Sequence, residues 1–307
     1  MKIAVIMNAA AGSIGAEADV RARAIREAFQ AAGVRPEIHR VEPARLAARV
    51  REIAASGVDV VVAAGGDGTV SSIAGALAGG DVPLAVLPLG TLNHFARDLG
   101  MPQDLEEAAA AIVGGEHKRI DVGEVNGRVF VNNSSVGLYP ETVMSREQDR
   151  KQTGRSKWHA MAIAAMRVLK RFPLLRACIV LPHRSVVCAT PLIFVGNNEY
   201  TVNVLQLGQR AQLDAGHLSL YLMRCRGRLY MFWLMVRAIL GRLDAVRDFE
   251  AETAQEVIVR LRHRVLRVAV DGEVEPMRSP LHYKIRPGAL LVITPRARAQ
   301  TNEAESA

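Results

Sequence analysis

The feature that most constrains this chain is an abrupt change of character between Val60 and Thr69. Val60-Val61-Val62-Ala63-Ala64 is apolar and rich in β-branched residues, and it gives way at once to Gly65-Gly66-Asp67-Gly68-Thr69. A helix pattern of small residues follows, with Ser71, Ser72, Ala74, Gly75 and Ala76. A short apolar run closed by glycine reads as a buried strand, and a strand feeding a helix reads as an α/β unit. The glycines remove Cβ atoms where the chain leaves the strand, so an anion can reach backbone N–H groups. A helix beginning near Thr69 aims its positive end at the same spot. Asp67 adds nothing to phosphate affinity unless a divalent cation lies between the two. A tight strand-to-helix turn with a helix-capping Asp67 explains the same residues without a ligand, and the loop alone does not separate these readings.

A second stretch shifts the balance. Leu84 to Leu87 is another short apolar run, followed by a turn at Pro88 and Gly90 and by polar Thr91 and Asn93 opening a helix. Gly65-Gly66-Asp67-Gly68-Thr69 followed by Pro88-Leu89-Gly90-Thr91-Leu92-Asn93-His94-Phe95-Ala96-Arg97 resembles the diacylglycerol kinase catalytic domain family. That family includes bacterial lipid kinases and the sphingosine and ceramide kinases, and its fold is similar to that of NAD kinases. The first motif is shared with NAD kinases and phosphofructokinases, and the second is the more specific.

Composition is compatible with this and does not choose. Half of the 307 residues are hydrophobic and 23% are charged, which argues against disorder. A net charge of +8 suits a nucleotide, an anionic membrane or nucleic acid, and equally a plain basic surface. Cys178, Cys188 and Cys225 form no Cys-x-x-Cys pair, so neither a disulfide framework nor a zinc site is indicated and a reducing cytoplasm is the expectation. The apolar run at Ile3–Met7 is too short for a signal sequence and reads as a first strand.

In chain order, strands are expected at Ile3–Met7, Glu37–Val41, Val58–Ala64 and Leu84–Leu87, with helices at Val20–Ala32, Ala44–Ala55 and Asp104–Val113. This alternation predicts a parallel sheet with helices on both faces and ligands at the carboxyl ends of the strands. Beyond it, Arg119–Val125 and Val129–Val136 flank Asn126-Gly127, a strong hairpin signal. Further strands are expected at Ala177–Leu181, Leu192–Val195, Leu218–Met223, Glu256–Arg262, Arg267–Val270 and Leu290–Thr294. The fold class is therefore α/β: an N-terminal parallel-sheet nucleotide-binding domain over 1–121, a mostly β, sandwich-like domain over 122–296, and a flexible tail over 297–307.

Two helical segments interrupt the second domain, Ser156–Phe172 and Leu229–Leu240. Each reads as an apolar stripe packed on the sandwich or as an interfacial helix on anionic lipid. The second is too short for a span of roughly 20 apolar residues, and Trp233, Arg237 and Arg242 are its candidate membrane contacts.

The resemblance implies transfer of the γ-phosphoryl group of ATP, with Mg²⁺, to a hydroxyl of a lipid such as diacylglycerol or a related glycerolipid. It implies a nucleotide site formed by Asn8, Gly12, Gly65, Gly66, Asp67, Gly68, Thr69, Val70, Ser71, Gly90, Thr91 and Asn93. Asp67 and Asp121 match acids tied to a magnesium and water network. Asp271, in Val268-Ala269-Val270-Asp271-Gly272-Glu273, matches the general base, whereas from sequence alone this stretch is a hairpin with an Asp-Gly turn. The lipid partner implies peripheral attachment to an anionic inner membrane face from the cytoplasm; a homodimer is compatible, and no nucleic acid is involved.

Four departures stand out. Ala9 replaces a proline in an Asn-Pro-x-x-Gly-type loop, Arg40 stands where a nucleotide-contacting threonine is expected and reads as exposed, and His94 replaces an acid. In Gln212-Leu213-Asp214-Ala215-Gly216, Ala215 replaces the acid of a structural cation site, which is expected to be weak or lost, leaving Asp214 as a turn residue. The competing readings are an NAD kinase-like enzyme and a nucleotide-binding regulator without turnover.

Overall fold

Mostly apolar strands alternate with helices over the first part of the chain. The structure is a computed structural model and describes residues 1–8, 16–137, 174–200, 210, 212–223 and 249–296. In order come β1 (Ile3–Asn8), α1 (Ala16–Ala31), β2 (Glu37–Val41), a 3-10 turn (Pro43–Arg45), α2 (Leu46–Ala55) and β3 (Val60–Gly65). They are followed by α3 (Asp67–Leu77), β4 (Leu84–Pro88), α4 (His94–Asp98) and α5 (Leu105–Gly114). The remaining strands are β5 (Glu116–Val125), β6 (Arg128–Phe130), β7 (Asn133–Gly137), β8 (Leu175–Val180), β9 (Ser185–Thr190) and β10 (Leu192–Asn197). After these come β11 (Leu218–Met223), β12 (Phe249–Ala254), β13 (Glu256–Leu261), β14 (Val265–Val270), β15 (Glu273–Arg278) and β16 (Leu281–Thr294).

The chain divides into two units, one of residues 1–119 with 290–307 and one of residues 120–289. In the first, β1 lies between β2 and β3, and β4 adds to β3, all parallel. The end of β16 joins β4 in parallel at Val292 and Leu84. α1 packs on α5 and α2 on α3, a helix layer for each face of the sheet. β3 and β4 are buried along their whole length, which is why they read as unbroken apolar runs. The return of the last strand to the first unit leaves no sign in the local pattern.

The second unit carries two antiparallel layers. One orders its strands β12-β11-β10-β7-β14-β15, and the other runs from the first part of β16 through β13 and β8 to β9, with β5 and β6 on the far side of β16. Their facing side chains form one core containing Phe130, Ile179, Val195, Leu220, Val259, Val268 and Tyr283. Tyr283 is fully enclosed; its hydroxyl meets Ser134 Oγ at 3.2 Å and its ring meets Phe130 edge-on. Burial therefore pushes the Tyr283 phenol well above its ordinary range, with the Ser134 bond opposing.

Three strands were not foreseen, β9, β12 and β15. All three are edge strands, where polar residues such as Glu250, Glu252, Glu273 and Glu275, and even Pro276, are tolerated because one side of the ladder faces water. The hairpin at Asn126-Gly127 forms with both residues in the left-handed region, φ 47° and 85°. Its expected second strand, Val129–Val136, breaks at Val131-Asn132 into β6 and β7, which belong to different layers. Among the described residues no helix is long and apolar enough to cross a membrane. The two expected helical insertions, with Trp233, Arg237 and Arg242, lie outside the described residues, as do Gly12 and the tail from 297.

The start of α5 offers a local test. Asp104 Oδ1 accepts the N–H groups of Glu106 at 2.9 Å and Glu107 at 3.1 Å, two donors that a helix start leaves without intrahelical partners. Asp104→Ala is expected to lower stability by about 1 kcal/mol; chemical denaturation, reading the midpoint at unchanged slope, checks this.

Candidate functional site

In the first unit the carboxyl ends of β1, β3 and β4 bring several of the sequence-predicted residues together. β3 and β4 end in register, Gly65 opposite Pro88. α3 begins at Asp67, earlier than the pattern suggested, and its N-cap Gly66 has no side chain to offer. The first intrahelical bond runs from Val70 N to Gly66 O, so the amides of Asp67, Gly68 and Thr69 are those a helix start leaves without intrahelical partners. A Cβ on Gly90 would fall 2.5 Å from Gly66 Cα and 2.8 Å from Asn93 Oδ1. The two glycine loops thus touch backbone to backbone, a closeness that no side chain permits.

Asn93 holds the second loop in shape. It adopts the left-handed conformation, φ 51°, which asparagine tolerates better than most residues. Its Oδ1 accepts Gly90 N at 2.8 Å, and its Nδ2 donates to Pro88 O at 3.1 Å and to Gln103 Oε1 at 3.3 Å. Asn8, at the end of β1, donates from Nδ2 to Thr69 Oγ1 at 3.5 Å, tying the β1 terminus to the first turn of α3. Thr69, Val70 and Ser71 are buried and Thr91 is exposed.

Asp67 is half-buried and does not cap its own helix. Its Oδ1 accepts the N–H of Phe95 at 3.4 Å, so it caps α4, and it lies in the first turn of α3 where a negative charge is favoured. His94, half-buried, is the first residue of α4, directly before Phe95. Arg40 is exposed, as expected, and bonds Asp19 Oδ1 at 2.5 Å and Ala18 O at 3.3 Å, joining β2 to α1. Beside it a concavity of about 640 Å³ includes His39, whose imidazole is pushed below its usual pKa by burial and then by Arg49.

In the second unit Asp271 sits in the β14–β15 hairpin. Asp271 and Gly272 both have positive φ, 46° and 87°, so the predicted Asp-Gly turn is present. It does more than turn the chain. The carboxylate is 8% exposed and accepts the N–H groups of Val131 at 2.8 Å, Asn132 at 2.8 Å and Asn133 at 3.0 Å, where β6 breaks from β7. An ionised carboxylate offers about four acceptor positions, and these amides occupy most of them. Glu273, two residues on, carries no signal of its own in the sequence, where an Asp-Gly turn already accounts for the stretch. Its carboxyl pKa is raised by burial, with Arg128 opposing and Glu275 and Asp271 adding. Arg128 Nη2 lies 3.2 Å from it.

Asp121, also in the second unit, is buried. Its Oδ1 accepts Gly288 N at 2.9 Å and its Oδ2 accepts Gly216 N at 2.7 Å. The turn at Ala215-Gly216 is closed further by the His217 ring, Nδ1 to Ala215 O at 3.0 Å. Among the described residues no group of three or more His, Cys, Asp or Glu side chains converges as a metal cage. Magnesium bound to nucleotide needs no such cage, since one or two carboxylates and the phosphates themselves usually hold it. Asp67, beside uncapped helix amides, meets that requirement.

Residues 2–125 match the family described as "Diacylglycerol kinase catalytic domain", and residues 141–294 match "YegS C-terminal NAD kinase beta sandwich-like domain". A "Probable lipid kinase YegS-like" of Pseudomonas aeruginosa is 44% identical over 106 residues, 34% of this chain and 34% of the relative. A "Diacylglycerol kinase" of Bacillus subtilis is 37% identical over 121 residues, 38% of this chain and 40% of the relative. The match thus spans well under half the length of these curated relatives. A crystal structure of a diacylglycerol kinase from Bacillus anthracis superposes with a TM-score of 0.69 at 23% identity, over 96% of this chain and 97% of that one, a likeness of fold.

Asn93→Ala removes three hydrogen bonds and the residue type suited to positive φ. It is expected to lower stability by roughly 1–3 kcal/mol, the cost of leaving buried polar groups unpaired, and to weaken ATP binding. Thermal unfolding with and without ATP checks both; an unchanged melting temperature would remove Asn93 from its structural role.

Proposed function

The chain belongs to the diacylglycerol kinase catalytic domain family, and from that premise we propose that it is an ATP-dependent lipid kinase. In this reading it transfers the γ-phosphoryl group to a hydroxyl of diacylglycerol or a related glycerolipid. The observation that carries the reading is the meeting of Gly66 and Gly90, bare backbone against bare backbone, in front of the uncapped amides of α3. Such amides bind phosphate oxygens. Asn8 and Thr69 fix the first loop and Asn93 the second. Asp67 would hold Mg²⁺ beside the phosphates, where the ion would supply positive charge against theirs. Asp121, with each carboxylate oxygen already on an amide, is left a role through water.

On the acceptor side a carboxylate must take the hydroxyl proton and align the oxygen. Asp271 is the base in this reading, held rigid by three amides. A second assignment gives the proton to Glu273, favoured by its greater exposure than Asp271. The acceptor lipid lies at an anionic membrane surface facing the cytoplasm, which suits a net charge of +8.

The test is labelled ATP with Mg²⁺ presented to the wild type over diacylglycerol, phosphatidylglycerol and sphingoid bases in mixed vesicles. Label in a lipid is expected. ATP binding without transfer over the whole panel would favour a regulator, and label in NAD, offered in a parallel reaction, a NAD kinase. Asp271→Asn is expected to reduce turnover roughly 10²–10⁴-fold. It should also destabilise, since the amide NH₂ cannot accept from a backbone N–H. Glu273→Gln, which disturbs none of the Asp271–amide bonds, then tells which carboxylate takes the proton: equal loss of turnover without destabilisation assigns it to Glu273, and wild-type turnover leaves Asp271.

A further inference from the structure

Polar groups of the second unit converge on one peptide, the bond between Val131 and Asn132. Its carbonyl oxygen accepts from Arg210 Nη1 at 2.5 Å and from Asn197 Nδ2 at 2.9 Å. Its N–H donates to Asp271 Oδ1 at 2.8 Å. Arg210 also donates from Nη2 to Asn132 Oδ1 at 3.2 Å and from Nη1 to Asn197 O at 3.1 Å. Its guanidinium lies 5.7 Å from the centre of the Tyr200 ring. Arg210 is 5% exposed and Asp271 8%. A buried cation and a buried anion therefore grip opposite ends of the same peptide group.

A buried guanidinium needs acceptors wherever it sits, and any carbonyl would serve. What goes beyond that need is the choice of carbonyl. A peptide pulled at its oxygen by a cation becomes a stronger donor at its N–H, because hydrogen bonds in a chain polarise one another. The amide so strengthened is the middle one of the three that hold Asp271. The side chain of Asn132 is bonded to Arg210, and the oxygen of the following peptide, Asn132 O, accepts Asn197 N at 2.9 Å, so the backbone is held on the far side of Asn132 as well.

We propose that Arg210 is a positioning residue for Asp271, acting through the Val131–Asn132 peptide to hold the carboxylate in one orientation. The proposal rests on the kinase reading, in which Asp271 faces the acceptor hydroxyl. Nothing in the motifs around Asp67, Asn93 or Asp271 points to Arg210; only the break between β6 and β7 brings it to this peptide.

The test uses the full-length chain with Arg210→Met and Arg210→Lys. In the Met protein kcat is expected to fall by about 10²-fold, the cost of a misplacement of about 1 Å at a reacting group. The KM for ATP should not change, because the glycine loops share none of these bonds. The Asn132 amide proton, followed by nuclear magnetic resonance, should move upfield and exchange faster. Arg210→Lys, which restores the charge, should recover part of both. Wild-type kcat in a folded Met protein, or an Asn132 amide that does not move, would overturn the proposal. Should the Met protein fail to fold, the Lys protein decides: a fall in kcat without a change at the Asn132 amide counts against it. If the wild type phosphorylates no lipid, the kinase reading fails on its own, and the amide shift still reports whether Arg210 acts on the peptide that binds Asp271.

Discussion

Much of the first unit depends on a close approach of two loops that only a glycine at position 90 allows. Gly66 and Gly90 lie so close that a single methyl group on Gly90 would meet the Gly66 Cα at 2.5 Å. The contact fixes the end of β3 against the end of β4, already in register at Gly65 and Pro88. It also clears the space in front of the α3 amides of side chains. From that one closeness follow the accessibility of the amides to an anion, the need for Asn93 to shape the second loop, and the service of Asp67 to α4 in place of its own helix.

The second unit solves a different problem, the burial of charge. Asp121, Arg210 and Asp271 all lie below the surface and are satisfied largely by backbone groups, Arg210 and Asp271 through opposite ends of one peptide. Asn197 links the set: its Nδ2 donates to Asp121 O and Val131 O, each at 2.9 Å. Buried charges are tolerated when hydrogen bonds replace water, and the same bonds hold irregular backbone in one conformation. The break between β6 and β7 is thus not a weakness in the sheet but the place where these side chains take hold.

Legibility in the sequence followed the range of the forces involved. The parallel sheet could be read because both faces of β3 and β4 are covered, leaving apolar runs bounded by glycine. The Asn126-Gly127 and Asp271-Gly272 turns could be read because left-handed backbone restricts residue choice. The edge strands β9, β12 and β15 could not, since a strand with one side in water needs little apolar patterning. Asp67 looked like a cap for the helix it begins and instead caps α4, which follows it by a whole strand; no local pattern carries that. Arg210 was invisible for the same reason, being far in sequence from Val131 and Asp271 and meeting them only through tertiary structure.

Titration calorimetry of magnesium–ATP into the wild type and into Gly90→Ala asks most directly whether the two glycine loops form one phosphate cradle. The added methyl cannot fit without driving Gly66 away, while the substitution adds no charge and touches neither Asp67 nor Asn8. The wild type should bind one ATP per chain, and Gly90→Ala, still folded by circular dichroism, should bind at least about tenfold more weakly, a loss of about 1.4 kcal/mol. Equal affinity in the two folded proteins would contradict the cradle and, with it, the placement of the nucleotide at these loops.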